Sequence, residues 1–212
     1  MDRKETAGYT NLAEENAELR RENASLRMRL AEQAALAQID PLTGAGNRRA
    51  FDERLRLEIE RSRRSLLPTC LILFDIDEFK TLNDRHGHAA GDAALRRVAL
   101  ALRQGSRSLD SVFRLGGDEF ALVLSASDGG SGLTVTKRLK ASLESALEWE
   151  GVPIVLRVSA GIAALSLGRD GALSVTDHGA GLSEQLPAGA DAAELAARLF
   201  ALADSALYSD KG

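Results

Sequence analysis

The sequence predicts an α/β protein in the form of an α+β sandwich around one central sheet, preceded by a separate N-terminal helix. Apolar runs of strand length alternate with stretches whose apolar residues recur at three- and four-residue spacing. The run LLPTCLILFDIDEFK (66–80) is continuously apolar up to its carboxylates, as a fully buried strand requires. Residues 12–38 contain no Gly or Pro and are rich in strong helix formers.

In that first segment Leu12, Leu19 and Leu26 recur every seven residues, with Asn16, Asn23 and Leu30 four residues after each. This is a heptad seam with Leu at d and Asn at two a positions. Glu15 and Glu22 occupy g, and Arg20 and Arg27 occupy e, so that in a parallel pair each Glu faces a partner Arg. A buried Asn satisfies its amide against an in-register Asn, which favours a parallel two-stranded coil. The alternative is one solvated helix with accidental periodicity. The expected division is a dimerising coiled coil over 1–38 and a globular domain over 39–212.

Pro41, Gly44, Gly46 and Asn47 mark a turn, followed by a basic amphipathic helix over 48–65. After the buried strand, HAAGDAALRRVALALRQGSR reads as a helix and FRLGGDEFALVL (113–124) as a hairpin. A helix near 132–148, a strand near 152–165 and a final helix from about 191 to 209 complete the pattern. Residues 168–190, rich in Gly, Ser and Asp and holding His178, read as a surface loop in which a lone His has no ligand role.

Composition narrows the function. With 44% hydrophobic and 27% charged residues the chain can bury a core, and with only 4% aromatics that core rests on Leu, Val, Ile and Ala. A net charge of -4 offers no general attraction to nucleic acid or acidic lipid. Cys70, the only cysteine, sits within the apolar run and reads as a small core residue. No stretch has the ~20 uncharged apolar residues of a membrane span. The expected setting is the cytoplasm, with neither nucleic acid nor membrane as partner.

The chemistry gathers where strands end. Asp75 and Asp77 close the buried strand, with one of the two expected to face a cleft; alternatively they only cap a loop. Gly116 and Gly117 permit positive φ and close approach of backbone to a ligand, in a turn that projects Asp118 and Glu119. Such an all-oxygen anionic site suits Mg²⁺, which binds one or two carboxylates together with substrate phosphates. Lys80 and the turn amides over 78–80 can neutralise or bind a phosphate. A plain surface hairpin remains the other explanation of the turn.

RLGGDEF (114–120), together with DPLTGAGNRRAF (40–51), FDIDEFKTLNDRHGHAAGD (74–92) and ADSALYSDKG (203–212), resembles the GGDEF domain family of diguanylate cyclases. The resemblance implies a fold like class III nucleotide cyclases and polymerase palms, with a mostly antiparallel central sheet flanked by helices. It implies condensation of two GTP into cyclic di-GMP and two pyrophosphates across a homodimer, with Mg²⁺ or Mn²⁺, two per site. The family's metal ligands map to Asp75, the backbone of Ile76, Asp118 and the adjacent Glu119, which also helps activate the 3′-hydroxyl. Asn83 and Asp92 match the guanine-reading positions, and Lys80 and Lys211 the phosphate contacts. Glu78, Phe79, Gly116 and Gly117 fall among the substrate-binding positions. Arg107 and Asp110, with five residues between Asp110 and Gly116, resemble the family's RxxD site of product inhibition, with Arg138 as a second contact. The departures are Glu78, where relatives carry an aromatic or His, and the absence of a Gly-Arg-Asn continuation after Lys211. The other reading is a catalytically weak cyclic di-GMP receptor that signals through its coiled coil.

Overall fold

Strand β1 (Thr69–Ile76) is buried along its whole length in the computed structural model, which describes residues 18–29, 33, 38–167, 173–177, 183–186 and 189–211. The chain divides into two units, Met1–Ala37 and Gln38–Gly212. In the first, residues 18–29 form helix α1, on which the d-position Leu19 and Leu26 are 54% and 50% exposed. Leu12, Glu15, Asn16 and Leu30 lie outside the described residues.

The second unit holds a six-stranded sheet in the order β2-β3-β1-β6-β7-β8, with every neighbouring pair antiparallel. The strands are β2 (Ser111–Gly116), β3 (Glu119–Leu124), β6 (Val158–Leu167), β7 (Leu173–Asp177) and β8 (Ser183–Leu186). Helices α4 (His88–Gly105) and α5 (Gly129–Leu143) cover one face; α2 (Arg48–Ser65) and α6 (Ala192–Asp210) cover the other. This explains the lack of alternation in β1. Cys70, Ile72, Phe74 and Ile76 enter the α4/α5 layer, while Leu71 and Leu73 enter the α2/α6 layer. Cys70 is buried, which pushes its thiol up to about 12, with the charges of Asp128 and Asp110 adding; it packs and does not react.

Two helices approach the sheet closely because a glycine stands at each contact. A Cβ on Gly132 of α5 would stand 2.7 Å from Cys70 Sγ, and one on Gly161 of β6 would stand 1.9 Å from the Ala203 carbonyl of α6. Helix α2 starts at Asn47, whose side chain accepts from Ala50 N, and α6 at Asp191, which accepts from Glu194 N.

Several boundaries differ from expectation. The fourth major helix begins earlier, at Gly129, because Asp128 caps it by accepting from Ser131 N; it ends at Leu143 rather than near 148. The strand expected over 152–165 is two strands, β5 (Val152–Ile154) and β6. β5 pairs with β4 (Leu147–Trp149) through a two-residue turn in which Glu150 and Gly151 both take positive φ. A short helix, α3 (Phe79–His86), follows β1 directly; it has no fully buried residue, and only Phe79 and Leu82 lean on the core, too few to set a periodic stripe apart from the strand before it. The expected surface loop over 168–190 carries β7 and β8, which extend the sheet from β6 through pairs such as Ser166↔Ser174 and Thr176↔Ser183. Backbone pairing, not apolar pattern, makes these strands. His178 lies outside the described residues.

Among the described residues no helix is long and apolar enough to cross a membrane. Gly161→Ala is expected to cost about 3 kcal/mol or more, because the obstructing atoms are α6 backbone rather than a movable side chain. A denaturant titration with an unchanged midpoint would contradict this packing.

Candidate active site

The site lies where β1 ends between its two neighbours. Register places Asp75 directly opposite Glu119 of β3 on one side and Ser159 of β6 on the other. Asp75 is only 9% exposed. Directly opposed like charges destabilise a sheet, and burial makes the repulsion worse. Both carboxyls are shifted upward. Burial pushes Asp75 above the usual carboxylate range, with the charges of Asp118 and Asp77 adding and Lys211 opposing. Burial also raises Glu119, followed by the charges of Asp75, Asp118 and Asp204.

The hairpin tip delivers the third carboxylate. The β2–β3 register shifts between Arg114 and Gly116, and Gly117 takes φ +51, a left-handed conformation that favours glycine. A Cβ at Gly116 or Gly117 would meet nothing within 4 Å, so the space above the tip is open. Asp118 follows, half-buried, close enough to raise the pKa of both Asp75 and Glu119.

Lys211 is the local counter-charge, its Nζ 2.9 Å from Asp75 Oδ1. Burial would lower its pKa, but the hydrogen bond and charge of Asp75, then Asp118 and Asp77, raise it. The end of α6 is fixed beside it, since Asp210 accepts from Lys140 Nζ at 2.9 Å and from Ala160 N at 2.8 Å. Asp75, Asp77, Glu78, Ser159, Asp210 and Lys211 share one cavity of about 580 Å³. Asp75 and Asp77 therefore both face the cleft, contrary to the expectation that one would. Positions two apart share a strand face, and although β1 stops at Ile76 the Asp77 amide still donates to Arg157 O at 3.0 Å. Asp77 Oδ1 accepts from Ser159 Oγ at 2.7 Å.

Glu78 stands before α3 in the left-handed conformation, φ 55, without a side-chain cap on the helix. The first-turn amides of α3 thus have no capping side chain. Lys80 is exposed and forms no ion pair among the described residues. The Phe79 ring packs on the core, 3.2 Å from where a Cβ on Gly91 would stand, so its backbone amide and not its ring remains for a ligand. Gly91 also admits Asn83: a Cβ there would lie 2.0 Å from Asn83 Oδ1. This close approach of α3 and α4 brings Asn83 beside Gly91 and the adjoining Asp92, whose carboxylate has only a loose contact with Arg96, 3.9 Å away.

Asp75, Asp118, Glu119 and the Ile76 carbonyl offer oxygen donors alone, the set that a hard divalent cation prefers. Among the described residues no group of three or more His, Cys, Asp or Glu could hold a metal ion unaided. Mg²⁺ fits such a set, since it completes its shell with water and substrate phosphates.

The family profile described as "Diguanylate cyclase, GGDEF domain" matches residues 37–180. The chain belongs to the GGDEF family. Over 136 residues it is 40% identical to diguanylate cyclase DgcP of Pseudomonas aeruginosa, covering 64% of this chain and 20% of that protein. The solved structure of diguanylate cyclase SiaD with its activator SiaC, from Pseudomonas aeruginosa, is 28% identical with a TM-score of 0.66, covering 98% of this chain and 72% of that one. The coiled coil and GGDEF domain of DgcB from Caulobacter crescentus, in complex with c-di-GMP, is 25% identical with a TM-score of 0.67, covering 96% and 93%. The match to DgcP spans about a fifth of that relative's length.

Away from the GGDEF signature, Arg107 and Asp110 form a turn before β2: Arg107 N donates to Asp110 Oδ2 at 2.7 Å, and Asp110 N to Arg107 O at 3.0 Å. Arg138 of α5 donates to the Gly105 carbonyl, two residues before Arg107, so the structure brings all three to one corner.

Arg114 and Asp40 lie within the family motifs but outside the functional positions that the resemblance implies. Arg114 donates through Nε and Nη2 to the Gly117 carbonyl, at 3.0 and 2.8 Å, and through Nη1 to both Asp40 oxygens at 3.3 Å. Asp40 also accepts from Thr43 N and Oγ1, at 2.9 and 2.6 Å. The segment before α2 is thus a brace for the hairpin tip, and the available signal was an Arg two residues before the glycine pair. Burial would raise the Asp40 pKa, but the Thr43 hydroxyl and amide and the Arg114 guanidinium hold it below the ordinary 3.8. A depressed carboxylate stabilises the fold above its unfolded pKa and loses that contribution as pH falls through the folded value. Asp40→Ala should therefore cost about 2 kcal/mol at pH 7. Its deficit should shrink below pH 3.8, and urea titrations at the two pH values check this.

Proposed function

We propose that this chain is a diguanylate cyclase, converting two GTP into cyclic di-GMP and two pyrophosphates across a homodimer. The observation that carries the proposal is the trio Asp75, Asp118 and Glu119, held together at a strand end against burial and mutual repulsion. Such an arrangement lowers stability unless cationic charge enters it, which marks a site kept for its chemistry.

Asp75, the Ile76 carbonyl, Asp118 and Glu119 would hold Mg²⁺ or Mn²⁺, two ions per site. That metal supplies charge neutralisation and Lewis-acid activation at the phosphates. Glu119, raised in pKa by burial and its neighbours, takes the proton from the GTP 3′-hydroxyl. The freed 3′-oxygen attacks the α-phosphorus of the GTP on the facing subunit, and the bond to the pyrophosphate oxygen breaks. Lys80 and Lys211, with the α3 first-turn amides at Phe79 and Lys80, hold the phosphates, while Glu78 lines the cleft beside them. The open tip at Gly116 and Gly117 lets the nucleotide approach the backbone. Asp92 accepts from guanine N1–H and the exocyclic amine together, a pair that adenine lacks, with Asn83 beside it.

Residues 1–38 act as a parallel coiled coil and residues 39–212 as the catalytic domain. The exposed Leu19 and Leu26 of α1 supply an apolar seam for a second copy. Arg107, Asp110 and Arg138 bind product and restrain turnover, since arginine forks suit a guanine edge or phosphate. The cytoplasm, where GTP is available, is the proposed setting.

Product measured by chromatography should rise more steeply than linearly with protein concentration, and Asp118→Ala should lower it by at least about a hundredfold. No cyclic di-GMP from protein freed of bound product, with the dinucleotide still binding tightly, would instead support the receptor reading. Arg107→Ala should retain the initial rate and lose product inhibition by roughly tenfold in the concentration required. An unaltered inhibition curve would remove the RxxD corner from the mechanism.

A further inference from the structure

We propose that Arg157 is a phosphate-binding residue of this cleft, gripping the terminal phosphates of a nucleoside triphosphate. The inference rests on the cyclase reading and adds a residue that none of the matched motifs contains. Arg157 immediately precedes β6 and lines the same cavity of about 580 Å³ as Asp75, Asp77, Glu78 and Lys211. Its backbone is fixed there, because its carbonyl accepts from Asp77 N at 3.0 Å. That bond continues the β1–β6 register past Asp75↔Ser159 and Ile76↔Val158. Strand alternation puts Arg157 on the face of Ser159, toward the carboxylates.

Two other cations nearby already have partners within the chain, whereas Lys80 on α3 has none among the described residues. Lys211 pairs with Asp75, and Lys140 pairs with Asp210, each at 2.9 Å. Arg157 is exposed, and its guanidinium makes no ion pair or hydrogen bond among the described residues. Asp77, directly opposite in the register, bonds to Ser159 instead. A guanidinium with no partner among the described residues, carried on a fixed backbone beside α3 amides that lack a capping side chain, is matched to a group with several anionic oxygens. Its planar fork takes two phosphate oxygens at once, which a lysine ammonium does not. Arg157 shares its cavity with Glu78 and Lys211, the phosphate side of the cleft, whereas Asn83 and Asp92 on α3 and α4 do not line that cavity, so it meets the polyphosphate end rather than the base.

The test is calorimetric titration of the full chain, with Mg²⁺, using 3′-deoxy-GTP, which cannot cyclise, and GMP as the comparison. Arg157→Ala should weaken 3′-deoxy-GTP binding about tenfold while changing GMP binding by less than about twofold, and Arg157→Lys should recover part of the loss. Unchanged triphosphate binding in Arg157→Ala, or equal losses for both nucleotides, would overturn the assignment while leaving the cyclase reading standing. A parent protein with no affinity for 3′-deoxy-GTP would overturn both.

Discussion

The end of β1 is a place where the fold tolerates an unfavourable charge. Asp75 is nearly buried and faces Glu119 across the ladder, with Asp118 one residue before it on the tip. Nothing in sheet energetics rewards this arrangement, and charge repulsion across the ladder, with Asp75 nearly out of solvent, works against it. The surroundings are organised to hold those three groups in place regardless. Lys211 supplies partial compensation from the end of α6, and Arg114 ties the tip to Asp40.

Those restraints depend on packing some distance away. Lys211 meets Asp75 because α6 lies almost in contact with β6, which the bare Gly161 allows, and because Lys140 and Ala160 hold Asp210. The tip keeps its position because Gly46 joins the edge of β2, donating to Val112 O and accepting from Arg114 N. Removing side-chain volume at two glycines thus fixes the geometry of charged groups that neither glycine touches. The cleft opposite the tip is closed by β6, whose leading residue Arg157 faces the same cavity. Cationic groups approach the carboxylates from two sides, as a polyanionic substrate requires.

The long elements were legible because burial leaves a periodic trace. Helix α2 occupies Arg48–Ser65 as its apolar spacing indicates, and β1 is apolar throughout because helices cover both sheet faces. Elements that bury little were not legible. Helix α3 has no buried residue, β4 and β5 are three residues each, and β7 and β8 are joined to the sheet through backbone pairing. In the site, Asp75, Asp118 and Glu119 could be nominated because carboxylates and glycines interrupt apolar strands. The Asp40–Arg114 brace could not, since an Arg two residues before the glycine pair does not say which distant carboxylate it will meet.

By itself the sequence determined the family, through four ordered motifs, together with the main helices and the central strand. It also determined which carboxylates stand at strand ends, because strand length and turn chemistry are local properties. Only the tertiary structure decided that Asp75 faces Glu119, that Asp77 shares its cavity, that Lys211 returns to Asp75 and that Arg157 lines the same cavity. The physical reason is that register and helix–sheet docking bring together residues far apart in the chain. Charge acts through space, so its consequences appear only once the chain is folded.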